Sequence, residues 1–180
     1  MEMSQAAKRT ISVYNSTFET LIIETEEFFV VGKDWRDLSI FFMEEGGNRL
    51  RVGMLIKFEG ITAIPYRIVE ITQSDSKELL LHGKNIITDF ESIFCNERGV
   101  FTLSPKEHLE KILCDIPKWQ IDRIDFNEPI EMTYNYHCVA YYLAGLKELL
   151  YRKTGKRFEY HYNVLPQKKS LISLHQAGST

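Results

Sequence analysis

LRVGMLIKFEG, Leu50 to Gly60, decides how the first half of this chain is read. Leu50, Val52, Met54, Ile56 and Phe58 are apolar, and between them stand Arg51, Gly53, Leu55, Lys57 and Glu59, mostly charged or small. A period of two sends alternate side chains to opposite faces of a strand, one dry and one wet. The expectation is a strand with its five apolar residues filling a core. Arg51, Lys57 and Glu59 then point outward, toward solvent, a lumen or a neighbouring subunit.

The flanking sequence repeats the theme. ISVYN (Ile11–Asn15) alternates, TLIIET (Thr20–Thr25) is β-branched and apolar, and FFVVG (Phe28–Gly32) is a short apolar run ending on glycine. DLSIFFMEE (Asp37–Glu45) leads into EGGN (Glu45–Asn48), a turn in which Gly-Gly supplies positive φ cheaply. ITAIPYRIVEIT (Ile61–Thr72) follows, with Pro65 marking an edge or bend, then the polar turn QSDSK (Gln73–Lys77) and ELLLHG (Glu78–Gly83). Short strands punctuated by turns predict an antiparallel barrel or sandwich. NIITDFESIF (Asn85–Phe94) reads as a short helix, closed by NERG (Asn96–Gly99).

After residue 103 the period changes. Ser104, Pro105 and Glu107 make a capping box with proline in the first helical position, and Leu109, Ile112 and Leu113 share one face of the helix that follows. IDRIDF (Ile121–Phe126) reads as a strand. A longer helix is expected from Tyr134 to Thr154, because Val139, Leu143, Leu146 and Leu150 recur at spacings of four, three and four. Arg152 and Lys153 suit its C-terminal dipole, and Gly155 suits its end. RFEYHYNV and SLISLH then alternate around LPQKKS as a hairpin. The fold class expected is α+β, with a β-barrel or sandwich domain over 1–103 and a small helix-strand-helix-hairpin domain over 104–180.

Composition agrees. Hydrophobic residues make 44% of the 180 and charged residues 26%, the balance of a globular chain with room for one large or two small domains. No apolar run approaches the roughly 20 residues of a membrane span, and MEMSQAAKRT lacks the apolar core of a signal peptide. Residues 1–103 carry 11 Lys and Arg against 16 Asp and Glu, whereas 104–180 carry 11 against 9. Neither half has the basic excess of a dedicated nucleic-acid binder, and the step in charge marks the expected boundary. Three cysteines, Cys95, Cys114 and Cys138, form no close pair, which argues against a disulfide framework and fits synthesis in a reducing cytoplasm.

Chemistry is sparse. His82, His108, His137, His161 and His175 show no HExxH and no metal-ligand spacing, and no CxxC exists. Cys95 and Cys138 lie in no reactive-cysteine signature, so buried structural thiols are expected. GxGxxG and GxxxxGK[ST] are absent, and Glu24, Glu26 and Glu27 read as a solvated strand end or loop. Asp122 and Asp125 fall on opposite faces of their strand, poor partners for one site. No catalytic, cofactor-binding or metal-binding residue is assigned. The tyrosines of YNYHCVAYY support two readings, amphipathic packing with hydroxyls at the rim or a protein interface. Tyr134, Tyr141 and Tyr142 therefore join Arg51, Lys57 and Glu59 as candidate interface residues.

Taken in order, these features resemble the N-terminal region of phage tail hub proteins, the tail-associated or prophage endopeptidase tail proteins and the related baseplate hubs of contractile tails. DLSIFF followed by LRVGMLIKFEG is similar to that family's early strands. PYRIVEI and ELLLHGKNIITDF look like its next hairpin and the exit into a helical segment. SPKEHLEKIL and PKWQIDRID match a short helix, a Trp-containing segment and a strand, with Leu109, Ile112, Leu113 and Trp119 in the matching places. LKELLYRKTGKRFEYHY fits a helix with a glycine turn before a strand bearing a Phe-Glu pair, here Phe158-Glu159, and KKSLISLHQAG resembles the closing strand.

The resemblance implies a tail-tube-like barrel and a structural protein rather than an enzyme, with any lytic activity in a further C-terminal region. It implies a trimeric ring closing the distal end of the tail tube. Partners would be distal tail or baseplate proteins and the tube or tape-measure protein, with DNA only as passing cargo, no cofactor and no membrane. The location implied is the virion tail tip, after synthesis in the bacterial host cytoplasm. Members of the family continue well past the point corresponding to Thr180, so a fragment or a compact variant is expected. Two other classes stay open on residues alone. One is a small hydrolase of the cell wall using Cys95 or Cys138 with a histidine. The other is a carbohydrate-binding β-domain with Trp35 or Trp119 as its platform.

Overall fold

The computed structural model describes residues 9–43, 49–59, 64–73 and 78–178. The turn expected at Glu45–Asn48 and most of QSDSK lie outside them. The chain divides into two compact units, Met1–Ile86 and Ile87–Thr180.

The first unit contains β1 (Ile11–Tyr14), β2 (Leu21–Thr25), β3 (Phe28–Lys33), β4 (Asp37–Phe42), β5 (Leu55–Phe58), β6 (Tyr66–Gln73) and β7 (Leu79–Asn85). They form one antiparallel sheet in the order β2-β1-β5-β6-β7-β4-β3. The expected barrel is therefore corrected: the sheet is open, with β2 and β3 as its two edges. Closure would need a β2–β3 ladder, and the two residues joining these strands use their polar groups otherwise. Glu27 N–H donates to the Thr25 hydroxyl, Phe28 N–H donates to the Glu26 carbonyl, and the Glu27 carbonyl accepts from Met43. These bonds turn the chain instead of extending a ladder.

The Leu50–Gly60 stretch is also shorter as a strand than its alternation suggests. Arg51–Gly53 form a turn, with Gly53 at φ 96° and Met54 N–H donating to the Arg51 carbonyl. Glycine adopts that backbone without the steric cost of a Cβ. The turn throws Val52 outward, 62% exposed, while Leu50 stays buried. β5 begins only at Leu55. Ile56 then pairs with Val13, and Phe58 with Ile11. Ile11, Val13, Ile40, Ile56, Ile68 and Leu81 are wholly excluded from solvent and make the centre of this core.

A short 3-10 helix, Ile86–Glu91, stands where a helix is expected over Asn85–Phe94. The second unit continues with β8 (Arg98–Leu103), α1 (Pro105–Ile112), β9 (Trp119–Ile124), β10 (Ile130–Asn135), α2 (Val139–Thr154), β11 (Phe158–Asn163) and β12 (Ser170–Gln176). β8 lies on the N-terminal side of residue 103, yet its ladder is with β10. β11 and β12 form the expected hairpin, and β12 also pairs in parallel with β9. The architecture is α+β, with antiparallel ladders, this one parallel pair and three helices among the described residues.

The capping box forms as the sequence dictates. The Glu107 carboxylate accepts from Ser104 N–H at 2.8 Å, and the Ser104 hydroxyl accepts from Glu107 N–H at 3.3 Å. α2 begins later than its tyrosines suggest. Ile130, Met132 and Tyr134 alternate inward as β10, and Tyr136, at φ 52°, breaks the chain before the helix. Gly155 ends α2 in the left-handed conformation.

These placements separate two residues that an uninterrupted strand would make equivalent. Ile56→Ala should cost about 2–5 kcal/mol, the range for emptying a core aliphatic site. Val52→Ala should stay within about 0.5 kcal/mol. Urea unfolding of both variants reads the difference, and similar losses would restore the uninterrupted strand.

Candidate interaction surface

The β3–β4 hairpin forms one edge of the first sheet. Its tip is tightly built. The Asp34 carboxylate accepts the N–H groups of Arg36 (2.8 Å) and Asp37 (2.7 Å), its carbonyl accepts the Tyr66 hydroxyl, and these backbone donors hold the carboxyl below its ordinary pKa. Trp35 sits on that tip, 61% exposed, with the Arg36 guanidinium over its ring. Along the strand, Phe28 and Val30 pack on the core while Phe29 and Val31 are 64% and 55% exposed. Phe29 continues a cross-strand row through Phe41 and Leu80, both half-buried. A register shift between Val30 and Gly32 adds a bulge at Val31. Edge strands are ordinarily blunted by charge, and here the exposed positions before Lys33 are apolar. FFVVG reads in sequence as an apolar run. Its edge position comes from strand order, which no local pattern encodes.

Of the six candidate interface residues, Arg51 and Glu59 are exposed and Lys57 is half-buried. The tyrosines separate. Tyr141 is 56% exposed and stacks on His137 with centroids 3.9 Å apart, whereas Tyr134 and Tyr142 are buried in the core. The Tyr142 hydroxyl accepts the N–H groups of Asn135 (2.8 Å) and His137 (3.0 Å). The Tyr134 hydroxyl meets Nδ1 of fully buried His108 at 2.8 Å, and His108 Nε2 meets the Ile130 carbonyl at 2.6 Å. A carbonyl only accepts, so Nε2 carries the proton and Nδ1 accepts from tyrosine. Burial lowers the His108 pKa and raises that of Tyr134, keeping both neutral. Beside α2, Phe94 stacks on Tyr136 at 5.5 Å and Arg98 lies over the same ring.

Among the described residues no cysteine is assembled with a base. Cys95 is buried, its thiol pushed up by that burial and directed at the Lys111 carbonyl. Cys114 is raised for the same reason, and Cys138 caps α2 without a side-chain hydrogen bond. A cleft of about 490 Å³ between α2 and β11 is lined by Lys147, Glu148, Tyr151, Arg157 and Glu159, and its walls carry no serine, cysteine or histidine. Trp119 packs against Phe90 and Tyr162. Among the described residues no three metal-ligating side chains converge, and no helix is long and apolar enough to cross a membrane.

Two solved structures overlap this chain. Prophage tail protein gp18 from Listeria monocytogenes EGD-e overlaps 91% of this chain with a TM-score of 0.60 at 8% identity, and 50% of its own length is covered. The tail protein from Neisseria meningitidis MC58 overlaps 92% of this chain and 45% of its own, at 12% identity and a TM-score of 0.49. The chain thus spans about half the length of these two proteins. No family model and no curated protein matches the sequence. The first overlap shows a fold shared with a phage tail protein.

His108 gives this unit a defined pH response. Its folded pKa is depressed, so its stabilising contribution is full above the unfolded value of about 6.5 and is lost as pH falls toward the folded one. His108→Ala should cost about 1–3 kcal/mol at pH 7.5, leaving the Ile130 carbonyl and Tyr134 hydroxyl unpaired. It should also flatten the decline in stability between roughly pH 7 and 5 relative to wild type. Chemical denaturation across that range reads both effects. A pH profile parallel to wild type would show that His108 is not the titrating group.

Proposed function

We propose that this chain is a structural subunit of a phage or prophage tail, acting in the ring at the distal end of the tail tube. The observation that carries the reading is the overlap of 91% of the chain with a prophage tail protein. In the ring the β3–β4 edge hairpin joins a neighbouring subunit. Burying Phe29 or Val31 contributes about 1.5–3 kcal/mol each, and a partner strand would also pair the open edge of β3. Three copies make the ring, and distal tail or baseplate proteins and the tube and tape-measure proteins are its neighbours. DNA passes without being recognised. Arg51, Lys57 and Glu59, around β5 and away from the β3 edge, face the distal tail or baseplate neighbours instead.

The double variant Phe29→Asp, Val31→Glu tests the edge. Wild type should sediment as a larger species as concentration rises. The variant should stay monomeric with an unchanged circular dichroism spectrum, its association weakened at least about thirtyfold, as loss of a 2 kcal/mol anchor requires. A wild-type chain that remains monomeric at high concentration and binds no distal tail protein would sink the proposal, as would a variant that assembles normally.

A further inference from the structure

Cys95 and Cys114 stand nineteen positions apart in sequence, and the fold ties their two segments together. The Cys95 thiol donates to the Lys111 carbonyl at 3.8 Å, in the last turn of α1. The two residues after Cys95 hold the same helix end. The Asn96 side-chain amide donates to the Asp115 carboxylate at 3.3 Å, and the Glu97 carboxylate pairs with the Lys111 ammonium at 3.2 Å. Cys114 thus lies between two positions, Lys111 and Asp115, that both bind the Cys95–Glu97 segment. The Cys95 sulfur is within its electrostatic reach. Backbone bonds anchor Cys95 from the other side, since its N–H donates to the His137 carbonyl and Val139 N–H donates to that of Ile93. Cys114, by contrast, is exposed in the turn that follows α1. Cys138 stands across from exposed Phe94, on the face opposite to buried Cys95.

We propose that Cys95 and Cys114 form a reversible disulfide under oxidising conditions, stapling the segment before β8 to the end of α1. The exposed Cys114 thiolate attacks one sulfur of a small-molecule disulfide such as oxidised glutathione, and one glutathione thiolate leaves. The Cys95 thiolate then attacks the Cys114 sulfur of the mixed disulfide, and the second glutathione thiolate leaves. Two protein thiols are oxidised, one glutathione disulfide is reduced to two thiols, and the two protons lost by the cysteines end on the leaving groups. The turn carrying Cys114 lies beyond the C-cap of α1 at Leu113, so a rotamer change and a small shift of that turn bring the sulfurs into bonding range. Burial holds both thiols above their ordinary pKa, so little thiolate is present at neutral pH and the exchange is slow. The closed loop contains β8 and α1, and restricting it in the unfolded chain stabilises the second unit. Reducing surroundings keep the pair open, and oxidising ones close it. The staple uses nothing of the first sheet, so it stands apart from the tail reading.

The test incubates the full chain with oxidised glutathione at about pH 8.5, where a thiol begins to ionise appreciably, followed by alkylation and peptide mass mapping. Free thiols should fall from three per chain to the one of Cys138, with a cross-linked Cys95–Cys114 peptide. The oxidised chain should melt at least about 5 °C above the reduced one, a modest share of what closing a loop of this size supports, and dithiothreitol should reverse the shift. Cys138→Ser should cross-link as wild type does. Cys114→Ser, at an exposed position, should melt as the reduced wild type does and show no oxidant-dependent shift. The proposal is overturned if Cys114 stops at the glutathione adduct, if Cys95 pairs with Cys138, if the cross-link forms only in urea, or if the oxidised chain melts no higher than the reduced one.

Discussion

A buried imidazole must pair both of its nitrogens, and His108 arranges the second unit by doing so. Its Nε2 proton goes to the Ile130 carbonyl and its Nδ1 takes the Tyr134 proton, which fixes α1 against both ends of β10. Tyr142 then accepts the two amides that leave β10, and Tyr160 donates to the Leu143 carbonyl, carrying the same logic to α2 and β11. Apolar burial of Leu109, Leu146, Leu150 and Ile172 supplies the strength. The polar tips supply the arrangement, because a partly satisfied network in a low-dielectric core costs more than it returns.

What organises the first unit is strand order. Ile11, Ile40, Ile56, Ile68 and Leu81 line up on one face across five neighbouring strands, so β1, β4, β5, β6 and β7 are held from both sides. β2 and β3 are each held from one side only. The two edges differ in chemistry. β2 carries Glu24 and leads into Glu26 and Glu27, the kind of charge that discourages pairing, whereas β3 displays Phe29 and Val31. In the ring proposed above, that asymmetry would give assembly a preferred direction.

Local signals in the sequence mapped onto the structure where one short segment carries all the information. Ser104, Pro105 and Glu107 start α1, the Val139–Leu150 stripe forms α2, and alternation around LPQKKS gives the β11–β12 hairpin. The barrel was not legible, because alternation says that a strand has a dry face and is silent on whether the last strand meets the first. Val52 misled because Gly53, read as a small residue on the wet face, is where the backbone turns. Tyr134 misled because β10 runs into α2 with only one residue of unusual conformation, Tyr136, between them, and tyrosine is not a residue that advertises positive φ. His161 and His175, whose rings stack 4.4 Å apart, lie fourteen positions apart in sequence, and the β11–β12 register makes them neighbours.

β12 occupies the middle of its sheet, between β11 and β9, and its residues are the most deeply buried of the three strands. Among the described residues β9 finds its sheet partner there, some fifty residues later in the chain. On a ribosome, Trp119–Ile124 therefore emerges long before the strand that will cover it, with Trp119, Ile121 and Ile124 waiting for a core that cannot yet close. Pairing over such a separation is slow to nucleate. Completion of this sheet therefore waits for Ser170–Gln176, which makes the order of synthesis part of how the second unit reaches its shape.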